Sequence, residues 1–121
     1  MIPEKVNLKE KFALFTDYWH PRLAGELNGQ HVKLVKLKGE FIWHQHDQED
    51  ELFFVVVGQL KIELRDQTVL LEPGEFIVIP RGIEHRPVAE NEVQVLLFEP
   101  ASTLNTGDQR SDLTRDTLEN I

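Results

Sequence analysis

The sequence predicts a single all-β domain, an antiparallel sandwich or closed barrel, and three observations carry that prediction. From residue 31 to residue 98 the chain is a succession of short β-textured segments, cut at close intervals by turn-forming pairs. Nothing between them is long enough to be a helical crossover, so neighbouring strands run antiparallel. With 121 residues, 40% of them hydrophobic and 28% charged, the chain can bury one core but not two. Residues 1–30 read as an N-terminal helix and connection, 31–100 as the barrel and 101–121 as a polar tail.

The first element is a short helix. Leu8, Phe12 and Phe15 recur at helical spacing behind Asn7, a good N-cap residue. Residues 18–30 mix Tyr18, Trp19, His20, Pro21, Gly25 and Gly29 and are expected to form an irregular connection, with Trp19 and His20 as a loop packing pair. The strands expected next are His31 to Lys38, Glu40 to His46, Glu51 to Val57, Gln59 to Arg65, Thr68 to Leu71, Phe76 to Ile79, His85 to Ala89 and Val93 to Phe98. Gly58-Gln59, Asp66-Gln67, Glu72-Pro73-Gly74, Arg81-Gly82 and Glu90-Asn91 supply the turns. After Pro100 the chain becomes polar and either lies along the barrel or frays.

Composition narrows the function classes. A formal net charge of -8 argues against nucleic acid or an anionic membrane as partner. With 0 cysteines, disulfides, thiolate metal sites and a cysteine nucleophile are excluded, and any metal must be held by nitrogen and oxygen. No stretch approaches the roughly 18 apolar residues of a membrane span, and the expected location is the cytoplasm.

The segment on which function turns is Gly39 to Glu51. His44 and His46 are separated by one residue, so on an extended strand both imidazoles point to one face. Past the acidic turn Asp47-Gln48-Glu49-Asp50, Glu51 can return a carboxylate to that face, giving three donors that suit a divalent ion. Alternation along Glu51 to Val55 favours Glu51 over Glu49 and Asp50, which read as a solvated turn. A second segment, Gly74 to His85, is a strand between two glycine turns. Pro80 and Gly82 tighten its exit so that His85 enters the next strand at a defined position.

Together these segments resemble the paired signature of the cupin superfamily. Gly39, His44, His46, Glu51 and Gly58 meet the first block in order, with the first spacer one residue shorter than usual. Gly74, Pro80, Gly82 and His85 meet the second, whose final asparagine is replaced by Ala89. The resemblance covers residues 39–89 and extends to small cupin-2 proteins of the mannose-6-phosphate-isomerase-like kind. It implies a single-domain antiparallel jelly-roll β-barrel in which His44, His46, Glu51 and His85 hold one divalent metal ion. Three imidazoles and one carboxylate suit Fe, Mn, Ni, Zn or Cu.

A fold reused so widely does not specify a reaction. The expectation is an isomerase or epimerase acting on a sugar or other small hydroxy-carbonyl compound. An Fe(II) dioxygenase and a non-catalytic small-ligand barrel are the alternatives. Phe53, Val55, Ile62, Leu64, Phe76, Val78 and Leu97 are the expected pocket walls, and Lys33, Lys36 and Arg86 the cations that could meet a substrate anion. Ile42 is expected on the face of the histidines and Trp43 on the other, as packing or an interface anchor. No residue outside the ligand set stands out as acid or base. Phe53 to Val57 is apolar at both parities, so its outer face needs a cover; a homodimer through the outer sheet is expected.

Overall fold

The computed structural model describes residues 2–121. Its elements in chain order are α1 (Leu8–Phe12), β1 (Arg22–Leu27), β2 (Gln30–Glu40), β3 (Glu51–Val57), β4 (Leu60–Leu64), β5 (Thr68–Leu71), β6 (Phe76–Ile79) and β7 (His85–Pro100). The strands pair antiparallel in the order β1-β2-β7-β3-β6, with β4 joined to β7 and to β5. This is the expected jelly-roll arrangement of an all-β chain.

β7 is the spine of the barrel. Its first half pairs with β4, from Lys61↔Val88 to Leu64↔His85, and its second half runs between β2 and β3. Between the halves the register with β2 slips, from Leu37↔Val93 to Gly39↔Ala89, and Glu90, Asn91 and Glu92 bulge into solvent. The Glu90-Asn91 signal therefore marks a corner within one 16-residue strand, not a turn between two. Inward positions alternate along it, from His85, Pro87 and Ala89 to Val93, Val95, Leu97 and Glu99. They face Val35, Leu37, Phe53, Val55, Leu60 and Ile62 in the main core.

Two further expectations are corrected. Residues 18–30 are not all irregular: Arg22–Leu27 is a strand, and Asn28-Gly29, both at positive φ (51° and 77°), form the tight hairpin that leads into β2. Glu40 to His46 is not a full strand either. β2 stops at Glu40, and beyond it His44 makes only an isolated bridge with His85. That loop reverses the expected parity, since Phe41 is buried and Ile42 only half-buried.

On β6 the parity is also the opposite of that expected. Phe76 is 61% and Val78 48% exposed, whereas Ile79 is buried and Ile77 packs on the core. Phe53, Val55, Ile62 and Leu97 are inward as expected, with Leu64 half-buried against them.

α1 is shorter than its apolar pattern. Asn7 caps it by accepting from the Glu10 amide at 3.0 Å, and Phe15 lies past its end, yet Phe12 and Phe15 are both buried against Leu34 on the outer face of β2. Each of these rings contributes about 2–3 kcal/mol by leaving water. The C-terminal segment lies along the barrel. Leu23 bridges Asn120, the Lys11 ammonium donates to the Ile121 carbonyl, and Asp108 and Gln45 exchange two hydrogen bonds of 3.0 Å. Among the described residues no helix is long and apolar enough to cross a membrane.

Candidate metal centre

Three segments, the loop after β2, the start of β3 and the start of β7, deliver four side chains to one point inside the barrel. His44 and His85 are locked together by the reciprocal backbone bonds of their bridge, 3.1 and 2.9 Å, and the Gly82 amide donates to the His46 carbonyl at 2.8 Å. Gly82 sits at φ 79°, a conformation glycine adopts without strain. Asp50 accepts from the Arg81 amide at 2.8 Å, tying the acidic turn to the loop before β7. Glu51 then opens β3 facing inward.

The result is a cluster of His44, His46, Glu51 and His85, all buried, whose ligand atoms lie within 4.8 Å of one another. Donors about 2.1 Å from one ion sit up to about 4.2 Å apart, so only small side-chain movements separate this spacing from that of a single cation site. The Nδ1 atoms of His44 and His85 face the carbonyls of Ile42 and Ile83, at 3.0 and 2.9 Å. Protonation there leaves each Nε2 lone pair free to point into the cluster. Glu51 Oε1 is 3.2 Å from His85 Nε2 and 3.3 Å from His46 Nε2. Neither ring nitrogen of His46 has a hydrogen-bond partner of good geometry, although both are buried. A buried polar atom left so is costly, and a cation at the centre of the four residues would satisfy Nε2. These residues could therefore bind a divalent metal.

The electrostatics agree with a site built for positive charge. Burial, reinforced by His85, pulls the His44 pKa down to about 4, so the ring is a neutral donor. Burial also disfavours charge on His46, but the Glu51 carboxylate outweighs it and raises that pKa. Burial would raise the Glu51 pKa, but the adjoining His46 and His85 imidazoles outweigh it and hold it well below its ordinary value.

Around the cluster is a narrow chamber of about 30 Å³, walled by Trp19, Val35, Leu37, Phe41, Phe53 and Leu97. Trp19 stacks on Phe41 at 4.7 Å rather than pairing with His20, which turns instead to Asp17. Of the expected cations only Lys33 faces inward. Lys36 lies under α1, donating to the Phe15 carbonyl at 2.7 Å, and Arg86 lies on the outer surface with Glu63 and Glu40. Trp43 is also outside, with the guanidinium groups of Arg65 and Arg86 over its ring at 3.8 and 5.6 Å. Glu49 and Asp50 stay out of the cluster, bonded to Ser102 and Arg81.

Sequence reasoning missed Glu99. It is 2% exposed, 3.3 Å from the Lys33 ammonium, and one register step beyond the Leu52↔Phe98 pair, which sets it beside Glu51. Burial and the neighbouring Glu51 charge push its pKa well above the ordinary value, and Lys33 offsets this only in part. The available signal was parity: on the inward face of β7, position 99 follows Val93, Val95 and Leu97.

Comparison with known proteins agrees with this geometry. The cupin domain family model matches residues 31–99. An uncharacterized protein of Bacillus subtilis (strain 168), YdbB, is 38% identical over 81 residues, which span 66% of each chain. The crystal structure of a cupin-2 domain containing protein from Shewanella frigidimarina superposes with a TM-score of 0.78 at 46% identity, covering 78% of this chain and 93% of that one. Protein NMB1881 from Neisseria meningitidis superposes at 0.75 and 33% identity, covering 81% of this chain and 100% of that one. With the barrel, both sequence blocks and these relatives in agreement, the chain belongs to the cupin domain family.

Proposed function

We propose that His44, His46, Glu51 and His85 hold one divalent ion, and that the protein is a small isomerase or epimerase of a sugar or other hydroxy-carbonyl compound. The observation that carries this reading is the convergence of four buried donors that can meet at a single ion, with His46 Nε2 facing only the Glu51 carboxylate at 3.3 Å. A bound Fe, Mn, Ni, Zn or Cu ion would supply a Lewis acid that polarises a carbonyl and acidifies the proton beside it. The chain's own contribution is orientation and apolar surroundings. Ile42 and Ile83 fix the rings of His44 and His85, while Phe41, Phe53 and Leu97 give the chamber apolar walls. The chamber's size suits one functional group of a ligand rather than a whole sugar.

The finer likeness to mannose-6-phosphate-isomerase-like cupins belongs to this proposal, as do a cytoplasmic location and a homodimer. The outer face of β3 and β6 supports the dimer, since Phe76 and Val78 are exposed there beside half-buried Leu52 and Phe54.

Elemental analysis of protein purified without chelator tests the metal. His46→Ala should lose most of it, while Trp43→Phe, altered only on the outer surface, should keep it; equal content in the two variants would refute the ligand assignment. Solvent deuterium entering a panel of aldoses and keto acids would support isomerisation. Iron with oxygen uptake and no exchange would point to the dioxygenase, and silence in both assays to a binding barrel.

A further inference from the structure

The narrow chamber has a neighbour. A second cavity of about 310 Å³, sharing Pro21 and Asn105 with the first, lies between the inner face of β2 and the C-terminal segment. Its walls include His31, Lys33, Thr103 and Arg115. Three of these carry a buried polar atom with no hydrogen-bond partner: His31 Nδ1, Thr103 Oγ1 and Arg115 Nε. Thr103 is 7% exposed and Lys33 3%.

The nearby acids are otherwise engaged. Asp116, also in the wall, is held by Arg110 through bonds of 2.9 and 2.8 Å; Glu26 lies 3.7 Å from His31 Nε2, and Glu99 faces Lys33. Arg115 has no carboxylate within ion-pair reach among the described residues. Its Nε–H and the Lys33 ammonium can only donate, while Thr103 and His31 can donate. Lys33 already donates to the Thr103 carbonyl at 3.2 Å and faces Glu99, so it offers the cavity chiefly its charge. Arg115 Nε–H, the Thr103 hydroxyl and His31 Nδ1 still lack a partner, and a small oxyanion can accept from all three.

We propose that this cavity binds the carboxylate or phosphate group of the small molecule whose hydroxy-carbonyl end enters the metal chamber. The anion site stands on the geometry of His31, Lys33, Thr103 and Arg115. The assignment of substrate class rests in addition on the metal reading given above.

Calorimetric titration of the full chain, metal-loaded and chelator-stripped, separates the two. Stripped protein should bind inorganic phosphate or acetate, and the tighter arm identifies the group. Arg115→Gln should weaken that binding about tenfold, and Thr103→Val, nearly isosteric, should weaken it in the same direction. Both variants should keep the wild-type metal content and urea midpoint. No anion binding by the wild type, or equal binding by Arg115→Gln, would overturn the site and mark the cavity as merely hydrated.

In loaded protein, dihydroxyacetone phosphate or hydroxypyruvate should bind at least about tenfold tighter than dihydroxyacetone, and Arg115→Gln should erase the difference. The absence of that preference would overturn the substrate class. Phosphate binding by a protein that takes up no metal would leave the anion site standing and refute the metal reading with the substrate class built on it.

Discussion

Two glutamates lie side by side in this barrel, both buried, and their surroundings treat them in opposite ways. Glu99 faces an ammonium supplied by the chain itself, Lys33 at 3.3 Å, and its pKa is pushed up by burial and by Glu51. Glu51 faces imidazoles, and its pKa is held down by His46 and His85. A buried carboxylate needs a cation close by. For Glu99 the sequence encodes that cation, though it offsets the rise only in part; around Glu51 it encodes three imidazoles whose nitrogens converge with the carboxylate. The difference teaches that the four donors at the Glu51 end could take a metal ion, whereas Glu99 has its ammonium within the chain.

The strongest way to break this contrast is Glu51→Gln, which keeps the shape and removes the charge. Losing a partner outside the coordination sphere costs a metal site about 10–100-fold in affinity, so losing an anionic ligand should cost upwards of about 1,000-fold. Competition with a chelator of known affinity measures it. Affinity within about threefold of wild type would mean that the cluster is a polar core and not a metal site.

Lys33→Met attacks the other acid. With its pKa already raised, Glu99 can hold a proton once the ammonium is gone, so the loss should be about 2 kcal/mol, that of unpaired buried polar groups, and Lys33→Met with Glu99→Leu should recover most of it. Urea denaturation reads both. If the double variant were no more stable than the single one, Lys33 would be needed for something other than neutralising Glu99.

A third change tests how tightly the Glu51 end is closed. Gly107 lies at φ 55°, and a Cβ there would come 2.2 Å from the Gln45 carbonyl oxygen and 3.1 Å from the His44 ring. Gly107→Ala should cost about 2 kcal/mol through backbone displacement. Because the contact is with the residues around His44, metal release should quicken as well. Lower stability with unchanged release would show that the C-terminal segment packs on the centre without gating it.

The metal cluster was more legible in the sequence than the chamber around it. His44, His46, Glu51, Pro80, Gly82 and His85 are fixed by short-range spacing, because the backbone geometry of two loops places them. Their grouping survives although Glu40 to His46 is not the expected strand. Glu99 and Lys33 are set by long-range register, His31↔Glu99 and Leu52↔Phe98, which depends on where the Asn28-Gly29 hairpin starts β2. β6 shows a different limit. Phe76, Ile77, Val78 and Ile79 are apolar at both parities, so a period of two cannot choose the inward pair, and pairing with β3 decides it. Arg115 was hidden for another reason, since it lies in a polar tail whose course along the barrel no periodicity records.

The smallest expected effect comes from an acid that the fold leaves half in water. Asp17 accepts from the buried Arg22 guanidinium and lies 3.2 Å from His20 Nδ1, yet its side chain is 49% exposed. Burial is the largest single influence and raises its pKa, but the hydrogen bonds and charges of Arg22 and His20 together prevail and hold it below 3.8. The unfolded chain therefore takes up a proton here before the folded one does as pH falls. The stabilisation is fully present above about pH 4 and disappears as pH drops through the folded value. Solvent screening limits it to below about 1 kcal/mol. Asp17→Asn should differ from wild type by that amount in urea at pH 7, and the difference should vanish near pH 2. A loss at pH 7 as large as that of Lys33→Met would mean that exposure does not separate cheap ion pairs from costly ones in this barrel, and the contrast between Glu51 and Glu99 would lose its basis in burial.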